Sequence, residues 1–291
     1  MEVQNKPVIE VCELSHRYLV DTPLEVQSLR SVHFTLYSDE IVGIVGPTGS
    51  GKSTLLCHLN GLIRPQEGDV RVFGVSLADS RADVRMIRRR IGMLFQNPEQ
   101  QLFERFAGDD VAFGPRNFKL SSEEVRERVR SAMEMVGLPF SYKDRLTADL
   151  SLGEKRRLAL AGVFALEPEI LVLDEPTASL DPEGRMRVLE VLRGWRREPG
   201  RSLVVVSHNM EDIAELADRT YVISGGEMVF SGMTGEFFAD REFLLGQGLA
   251  LTVPLQVLHM LSEHGIPIGR GNASARDVAE EIGGMLHGST H

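Results

Sequence analysis

Cysteine is scarce in this sequence, and its two cysteines, Cys12 and Cys57, fall in a predicted strand and a predicted helix. They form no disulfide framework, so a reducing cytoplasm fits the composition. Long apolar runs are also missing, since no stretch approaches the roughly 20 apolar residues of a membrane-spanning helix. Residues 1–7 contain no apolar signal-peptide core. If the protein acts at a membrane, we expect partner chains to hold it on the cytoplasmic face.

Positive charge is not in excess either. The 291 residues carry a net charge of −10, which argues against broad nucleic-acid binding and against adhesion to anionic lipid. The sequence contains no internal repeat, low-complexity tract or long heptad pattern. A hydrophobic content of 42% and a charged content of 25% are typical of a globular chain with one large domain or two modest ones.

One stretch has a strong chemical signature. Residues 46–53 (GPTGSGKS) fit the phosphate-loop pattern G-x-x-x-x-G-K-[ST], with an apolar strand predicted before them at 41–45 and a helix after them at 54–60. Strand, loop and helix together aim backbone N–H groups at one point, which is a site for phosphate. The alternative is a glycine-rich turn that fits by chance. The residues expected at the nucleotide phosphates are Gly46, Pro47, Thr48, Gly49, Ser50, Gly51, Lys52, Ser53 and Thr54.

The rest of the chain alternates between strand and helix patterns. Runs that predict further strands are Val8–Leu14, Leu24–Leu36, Gly68–Gly74, Arg90–Phe95, Ile170–Leu173 and Ser202–Ser207. Between about residues 97 and 166, helix formers with charges at helical spacing predict a helical insert. Gly225-Gly226, between two short β segments, predicts a hairpin. The alternation predicts an α/β fold with a mostly parallel sheet.

Polar residues directly follow three of these predicted strands. Asp174 and Glu175 are placed to hold Mg²⁺ and to activate water, respectively. Gln96 can touch both Mg²⁺ and the water, and His208 can donate a hydrogen bond to a γ-phosphate. The alternatives are a polar loop start, a polar strand cap and a structural histidine. Lys52 completes the predicted catalytic set, because it would meet the β- and γ-phosphates.

A second anion site is predicted far along the chain. Ser151 and Gly153, with Glu154 beside them, lie at the start of a helical run that continues to Phe164. Because this segment lies so far from the phosphate loop in the sequence, we do not expect one chain to close both on the same phosphate. We therefore expect it to act on a second subunit.

Taken in order, these segments resemble the nucleotide-binding subunits of ATP-binding-cassette (ABC) transporters. The match runs from about residue 8 to 235 and comprises the phosphate loop, Gln96, Leu150–Glu154 as the family signature, Ile170–Glu175, Ser179-Leu180-Asp181 as the dimer-contacting loop, and His208. The resemblance implies that two subunits enclose two ATP molecules with Mg²⁺, each between one phosphate loop and the partner's signature. It also implies that Tyr18 stacks on adenine. The departure is Leu152, where the usual signature has glycine.

A finer resemblance is to the ATPases of energy-coupling-factor importers, which take up vitamins or cobalt and nickel ions. It depends on Phe95–Gln101, Asp110–Pro115 and Gly153–Arg157, with Glu99 where that group more often has Asp. It implies integral membrane subunits and a second ATPase subunit, either the same chain or a paralogue, as partners. The alternatives are another class of ABC importer or exporter, or a soluble ABC ATPase acting on nucleic acid or ribosomes.

The resemblance also implies how the chain is organised. We expect residues 1–235 to form the ATPase domain, a P-loop NTPase core with an antiparallel β subdomain and the helical insert at about 97–166. Residues 236–291 are expected to form a C-terminal helical extension that ends in a helix over 275–286.

Overall fold

The computed structural model describes residues 6–264 together with 278 and 279. Its strands are β1 (Pro7–Tyr18), β2 (Val26–Tyr37), β3 (Ile41–Val45), β4 (Glu67–Val72), β5 (Val75–Ser76), β6 (Ile91–Leu94), β7 (Ile170–Asp174), β8 (Ser202–Val206), β9 (Arg219–Ser224) and β10 (Glu227–Met233). Its helices are α1 (Lys52–Leu59), α2 (Val84–Arg90), α3 (Ala107–Asn117), α4 (Ser122–Met135), α5 (Leu152–Phe164), α6 (Pro182–Arg196), α7 (Met210–Leu216), α8 (Thr234–Ala239), α9 (Arg241–Gly246) and α10 (Val253–Glu263). The predicted α/β class is confirmed.

A mostly parallel sheet forms the centre of the molecule. Its strand order is β10-β9-β3-β8-β7-β6, and every neighbouring pair is parallel except β10 with β9. All residues of β3, β6, β7 and β8 are buried, as expected for strands that are covered on both faces. Because parallel strands end at the same edge, the segments that follow these four strands converge there.

An antiparallel sheet of order β2-β1-β4-β5 packs against one face of the central sheet. Successive side chains of β3 point to opposite faces, so Val42 and Ile44 join the core under this second sheet, whereas Ile41 and Val45 join the core on the helical face. The predicted antiparallel β subdomain is therefore present. The strand predicted at 8–14 continues to Tyr18 as β1.

The chain between β6 and β7 is helical, as the sequence predicts. It forms α3, α4 and α5 with short 3₁₀ turns at Pro98–Gln101, Phe140–Asp144 and Thr147–Asp149. Ser121 caps α4 through a capping box with Glu124, which stabilises the start of that helix. The predicted hairpin is confirmed as well: Gly225 and Gly226 join β9 to β10 with φ values of 58° and 85°.

The helices after β10 continue the core of the helical face. Phe237 and Phe238 of α8 and Leu244 of α9 are buried in the same cluster as the central sheet, and Leu255 of α10 packs against it. The division of the chain at residue 235 thus stays a prediction. The helix expected over 275–286 lies almost wholly outside the described residues.

The short helix α2 has no counterpart among the predicted elements. It begins after Asp83, whose carboxylate accepts hydrogen bonds from the backbone N–H groups of Arg85 and Met86. Within the described ranges, no helix is both long and apolar enough to cross a membrane.

Candidate active site

The phosphate loop, residues 46–53, requires glycine at two positions. Gly46 and Gly51 have φ values of 150° and 107°. A Cβ on Gly46 would lie 2.0 Å from the carbonyl oxygen of Ile223, and one on Gly51 would lie 2.5 Å from that of Ser28. Close backbone contacts with β9 and β2 therefore fix the loop, and only glycine allows them.

Lys52 is the first residue of α1 and is 7% exposed. Its ammonium donates hydrogen bonds to the carbonyl oxygens of Gly46 and Pro47, each 2.8 Å away. Burial lowers the pKa of Lys52, and the charges of Glu175 and Asp174 act in the opposite direction. Because an ammonium group has three N–H donors, a third remains for an anion next to the loop.

Ser53 and Asp174 are 121 positions apart in the sequence and adjacent in the fold. The Ser53 hydroxyl donates a hydrogen bond of 2.8 Å to Oδ2 of Asp174, the last residue of β7. Burial raises the pKa of Asp174, while this hydrogen bond and the Lys52 charge lower it. A hydroxyl and a carboxylate oxygen side by side are hard ligands of the kind Mg²⁺ takes, so the residues present fit that ion.

Glu175 follows Asp174 and is 5% exposed. Its Oε1 accepts a hydrogen bond of 2.8 Å from the backbone N–H of His208, and Nε2 of His208 lies 3.8 Å from the same oxygen. Burial raises the pKa of Glu175 to about 7, the His208 N–H opposes the rise, and the Asp174 charge adds to it. A carboxylate that titrates near neutral pH is suited to accept a proton from water.

These side chains line one pocket of about 220 Å³, which we call the phosphate-loop pocket. The predicted site residues that it brings together are Thr48, Gly49, Ser50, Gly51, Lys52, Ser53, Thr54, Gln96, Asp174, Glu175 and His208. Gly46 and Pro47 lie under the Lys52 ammonium rather than on the pocket wall. The segments that follow β3, β6, β7 and β8 therefore converge on this pocket.

Tyr18 lies at the end of β1 beside the same loop. Its hydroxyl is 3.2 Å from Oγ1 of Thr54, which also shares a 2.8 Å hydrogen bond with Ser28. Its ring meets that of His16 edge to face, with centroids 4.6 Å apart. Sequence reasoning missed Ser28, because it lies within β2 and belongs to no local motif.

The predicted signature lines a different pocket of about 330 Å³, which we call the signature pocket. The predicted residues found there are Ser151, Gly153, Glu154, Ser179, Leu180 and Asp181. The pocket shares no lining residue with the phosphate-loop pocket. Its further lining residues, which the sequence did not assign to a site, are Arg157, Glu183, Gly184 and Arg187.

Ser151 is the N-cap of α5 and forms a capping box with Glu154. Its hydroxyl oxygen accepts from the Glu154 N–H at 3.3 Å, and the Glu154 carboxylate accepts from the Ser151 N–H at 2.8 Å. Leu152, in place of the usual glycine, is 50% exposed and so disturbs no core. The first turn of α5 thus presents a capped helix N-terminus to the signature pocket, where an anion is favoured.

A phosphate loop at the carboxyl edge of a parallel sheet, faced by two carboxylates and a histidine, defines the class as a P-loop nucleotide hydrolase. The family model that matches, described as ABC transporter, covers residues 29–178. A curated relative, the energy-coupling factor transporter ATP-binding protein EcfA2 of Clostridium perfringens, is 46% identical over 256 residues, or 88% of this chain and 89% of that protein.

Solved structures show the same relationship. The structure of cbiO1 from Clostridium perfringens, part of the ABC transporter complex cbiONQ, has a TM-score of 0.73 at 32% identity and covers 88% of this chain and 99% of that one. A dimeric post-hydrolysis state of the ATP-binding cassette MJ0796 with ADP and phosphate has a TM-score of 0.71 at 28% identity, covering 77% and 98%. This chain belongs to the ABC transporter family, as an ATPase of the energy-coupling factor transporter group.

Proposed function

We propose that this chain is the ATP-hydrolysing subunit of an importer of the energy-coupling-factor type, for vitamins or for cobalt or nickel ions. It works in the cytoplasm as one half of an ATP-enclosing dimer on integral membrane subunits. The observation that carries the proposal is the separation of the phosphate-loop pocket from the signature pocket. Each chain then offers two different halves of a site, and two chains complete two sites.

Within one such site, the chain's residues divide the chemistry. Lys52 and the N–H groups of the phosphate loop hold the phosphates and balance their charge. Glu175 takes a proton from the attacking water or orients it, and the neighbouring His208 ring donates to the γ-phosphate. Bound Mg²⁺, held by Ser53 with Asp174 and Gln96 nearby, would neutralise further phosphate charge. Tyr18 faces the adenine base of the nucleotide.

The partner subunit supplies the remaining donors. Its Ser151 and Gly153 approach the γ-phosphate, and its Ser179–Asp181 loop touches the dimer interface. The start of α5 favours an anion because the first N–H groups of a helix point outward and carry partial positive charge. The related cassette MJ0796 is dimeric after hydrolysis, which supports a dimer for this chain as well.

A contact surface for a membrane subunit lies on the helical insert. Phe103 and Phe113 are 62% and 44% exposed, and their rings meet edge to face at 4.6 Å. Elsewhere on the insert, a cavity of about 530 Å³ opens between α3, α4 and the Phe140–Asp144 turn, with both apolar and charged side chains in its lining. A pair of exposed aromatic rings is typical of a surface that receives another chain.

This surface is connected to the active site along the chain. The Pro98–Gln101 turn joins Gln96 to Phe103, and Oε1 of Gln101 accepts a hydrogen bond from the backbone N–H of Phe95. Glu99 in the same turn lies 3.7 Å from the buried Arg156 of α5, the helix that begins at the signature. A displacement of the turn is thus transmitted to both pockets.

The ATPase test uses Glu175→Gln, which keeps the shape of the side chain and removes its basicity. We expect the rate of hydrolysis to fall at least about 10²-fold, because the general base is lost. ATP binding should be retained, so that ATP shifts the variant to a dimer in light scattering. An unchanged rate would remove Glu175 as the base, and a persistent monomer would count against the enclosing dimer.

The transport test is purification of the tagged chain from membranes in mild detergent, followed by identification of the companion proteins. We expect integral membrane subunits and a second ATPase subunit. The double variant Phe103→Ser, Phe113→Ser should recover about tenfold less of the membrane subunits, whereas Met86→Ser, an equally exposed apolar residue on α2, should recover them fully. Recovery of ribosomes or nucleic acid instead would favour the soluble ATPase alternative.

A further inference from the structure

A buried carboxylate on α7 joins three separate segments of the molecule. Asp212 is 1% exposed. Its Oδ2 accepts hydrogen bonds from the hydroxyls of Thr177 and Ser207, the second at 3.2 Å, and its Oδ1 accepts from Nε of Arg185 at 2.6 Å. Asp212 therefore connects the end of β7, the end of β8 and the start of α6.

The two hydroxyl donors lie next to proposed functional residues. Thr177 is two positions after Glu175 and two before the Ser179–Asp181 loop. Ser207 directly precedes His208, and its hydroxyl also accepts the backbone N–H of Asn209 at 3.0 Å. The contacts of Asp212 thus flank both members of the Glu175–His208 pair.

Burial of this carboxylate destabilises the fold unless all of its hydrogen-bond donors are present. An ionised carboxylate loses its hydration on burial, and only a full set of donors offsets that loss. Here two hydroxyls and a guanidinium supply them, and each donor belongs to a different element. Displacing any one of these elements leaves a buried charge with a missing partner, so the network favours a single relative position of all three.

We propose that Asp212 is a positioning residue for ATP hydrolysis, which holds Glu175, His208 and the Ser179–Asp181 loop in one fixed arrangement. When a partner subunit presses on that loop, Thr177 and Asp212 transmit the displacement to the pair that acts on the water. The inference rests on the proposed roles of Glu175 and His208. It does not depend on the identity of the transported substrate or of the membrane subunits.

The same helix provides a matched control. Glu215 lies one turn from Asp212, pairs with Arg193 at 2.6 Å and lies 3.7 Å from Arg185. It thus shares an arginine with Asp212 but makes no recorded contact with Thr177 or Ser207 among the described residues. Glu215→Gln removes charge from α7 and leaves the hydroxyl donors Thr177 and Ser207 and the carboxylate of Asp212 in place.

The experiment compares Asp212→Asn, Thr177→Val, Ser207→Ala and Glu215→Gln in the complex recovered from membranes, with kcat, KM for ATP and thermal stability measured for each. We expect kcat to fall about tenfold in the first three variants, because a small misplacement of reacting groups has a large effect on rate. KM should stay within about twofold, since the phosphate loop is intact.

Two results would overturn the inference. One is a folded Asp212→Asn variant with wild-type kcat. The other is an equal loss of kcat in Glu215→Gln, which would mean that any damage to α7 has the same effect. If Asp212→Asn does not fold, Thr177→Val and Ser207→Ala still decide, because each removes one hydroxyl. Glu175→Gln, assayed in parallel, separates failure of this network from failure of the base assignment.

Discussion

The phosphate-loop pocket and the signature pocket differ in how they are built. The first is enclosed by segments from four neighbouring strands, and its polar groups already contact one another, as Ser53 does Asp174 and His208 does Glu175. The second is formed by the first turn of α5 and the Ser179–Asp181 loop, and its two main side chains, Ser151 and Glu154, cap their own helix. The polar groups of the phosphate-loop pocket are already arranged for catalysis, whereas the signature pocket directs hydrogen-bond donors outward.

This difference indicates which part of the site each chain contributes. Groups that must be held relative to each other, such as a base and a metal ligand, lie on one rigid sheet edge. Groups that need only meet a phosphate from outside lie on a helix N-terminus, where backbone N–H groups are already aligned. Variants in the two pockets should therefore fail in different ways.

Lys52→Ala is expected to have the largest effect, which is a loss of nucleotide binding. Loss of a buried ammonium next to the phosphates should weaken ATP binding at least about 10²-fold, because charge-assisted hydrogen bonds to phosphate are among the strong ones. Calorimetric titration of the purified chain with ATP measures this. Affinity within threefold of the wild type would mean that the phosphate-loop pocket does not hold the phosphates.

The second-largest effect is expected from Ser151→Ala, which should reduce turnover without weakening ATP binding. We expect kcat to fall about 10²-fold, as for removal of one donor to a developing oxyanion. The affinity of a single chain for ATP should stay within about twofold, because Ser151 lines the other pocket.

The control for Ser151→Ala is Ser121→Ala. Ser121 forms the same type of capping box with Glu124 at the start of α4, so its loss destabilises a helix by a similar amount, about 1 kcal/mol. It lies in neither pocket. If both variants lost activity equally, the effect of Ser151 would be on helix stability rather than on the partner's phosphate.

The smallest expected effect is a pH dependence that belongs to the phosphate-loop pocket alone. Burial raises the pKa of Glu175 from its ordinary value of 4.5 to about 7, so the carboxylate becomes protonated as pH falls through neutral. The rate should then decrease about tenfold per pH unit on the acid side, since a general base acts only when ionised. A kcat profile for hydrolysis, flat from pH 8 to pH 5, would contradict the pKa of Glu175.

Much of the phosphate-loop pocket could be predicted because its parts follow strands. Asp174 and His208 come directly after apolar runs, and parallel strands that end at one edge bring such residues together. Ser28 and Asp212 could not be predicted in this way. Ser28 lies inside β2, and Asp212 is one of several acids on α7, so only the packing of distant elements assigns them a contact.

Local sequence is sufficient to predict the phosphate loop, the order of the strand-end residues and the capped start of α5, because each depends on neighbours within a few positions. The tertiary structure determines which of these groups share a pocket. Ser53 contacts Asp174 across 121 positions, whereas Ser151 lines a separate pocket. It also decided that Glu175 titrates near neutral pH, because a pKa depends on burial and on charges brought close by the fold. The local sequence specifies which chemical groups are present. The packing of distant elements determines which of these groups contact one another and how they react.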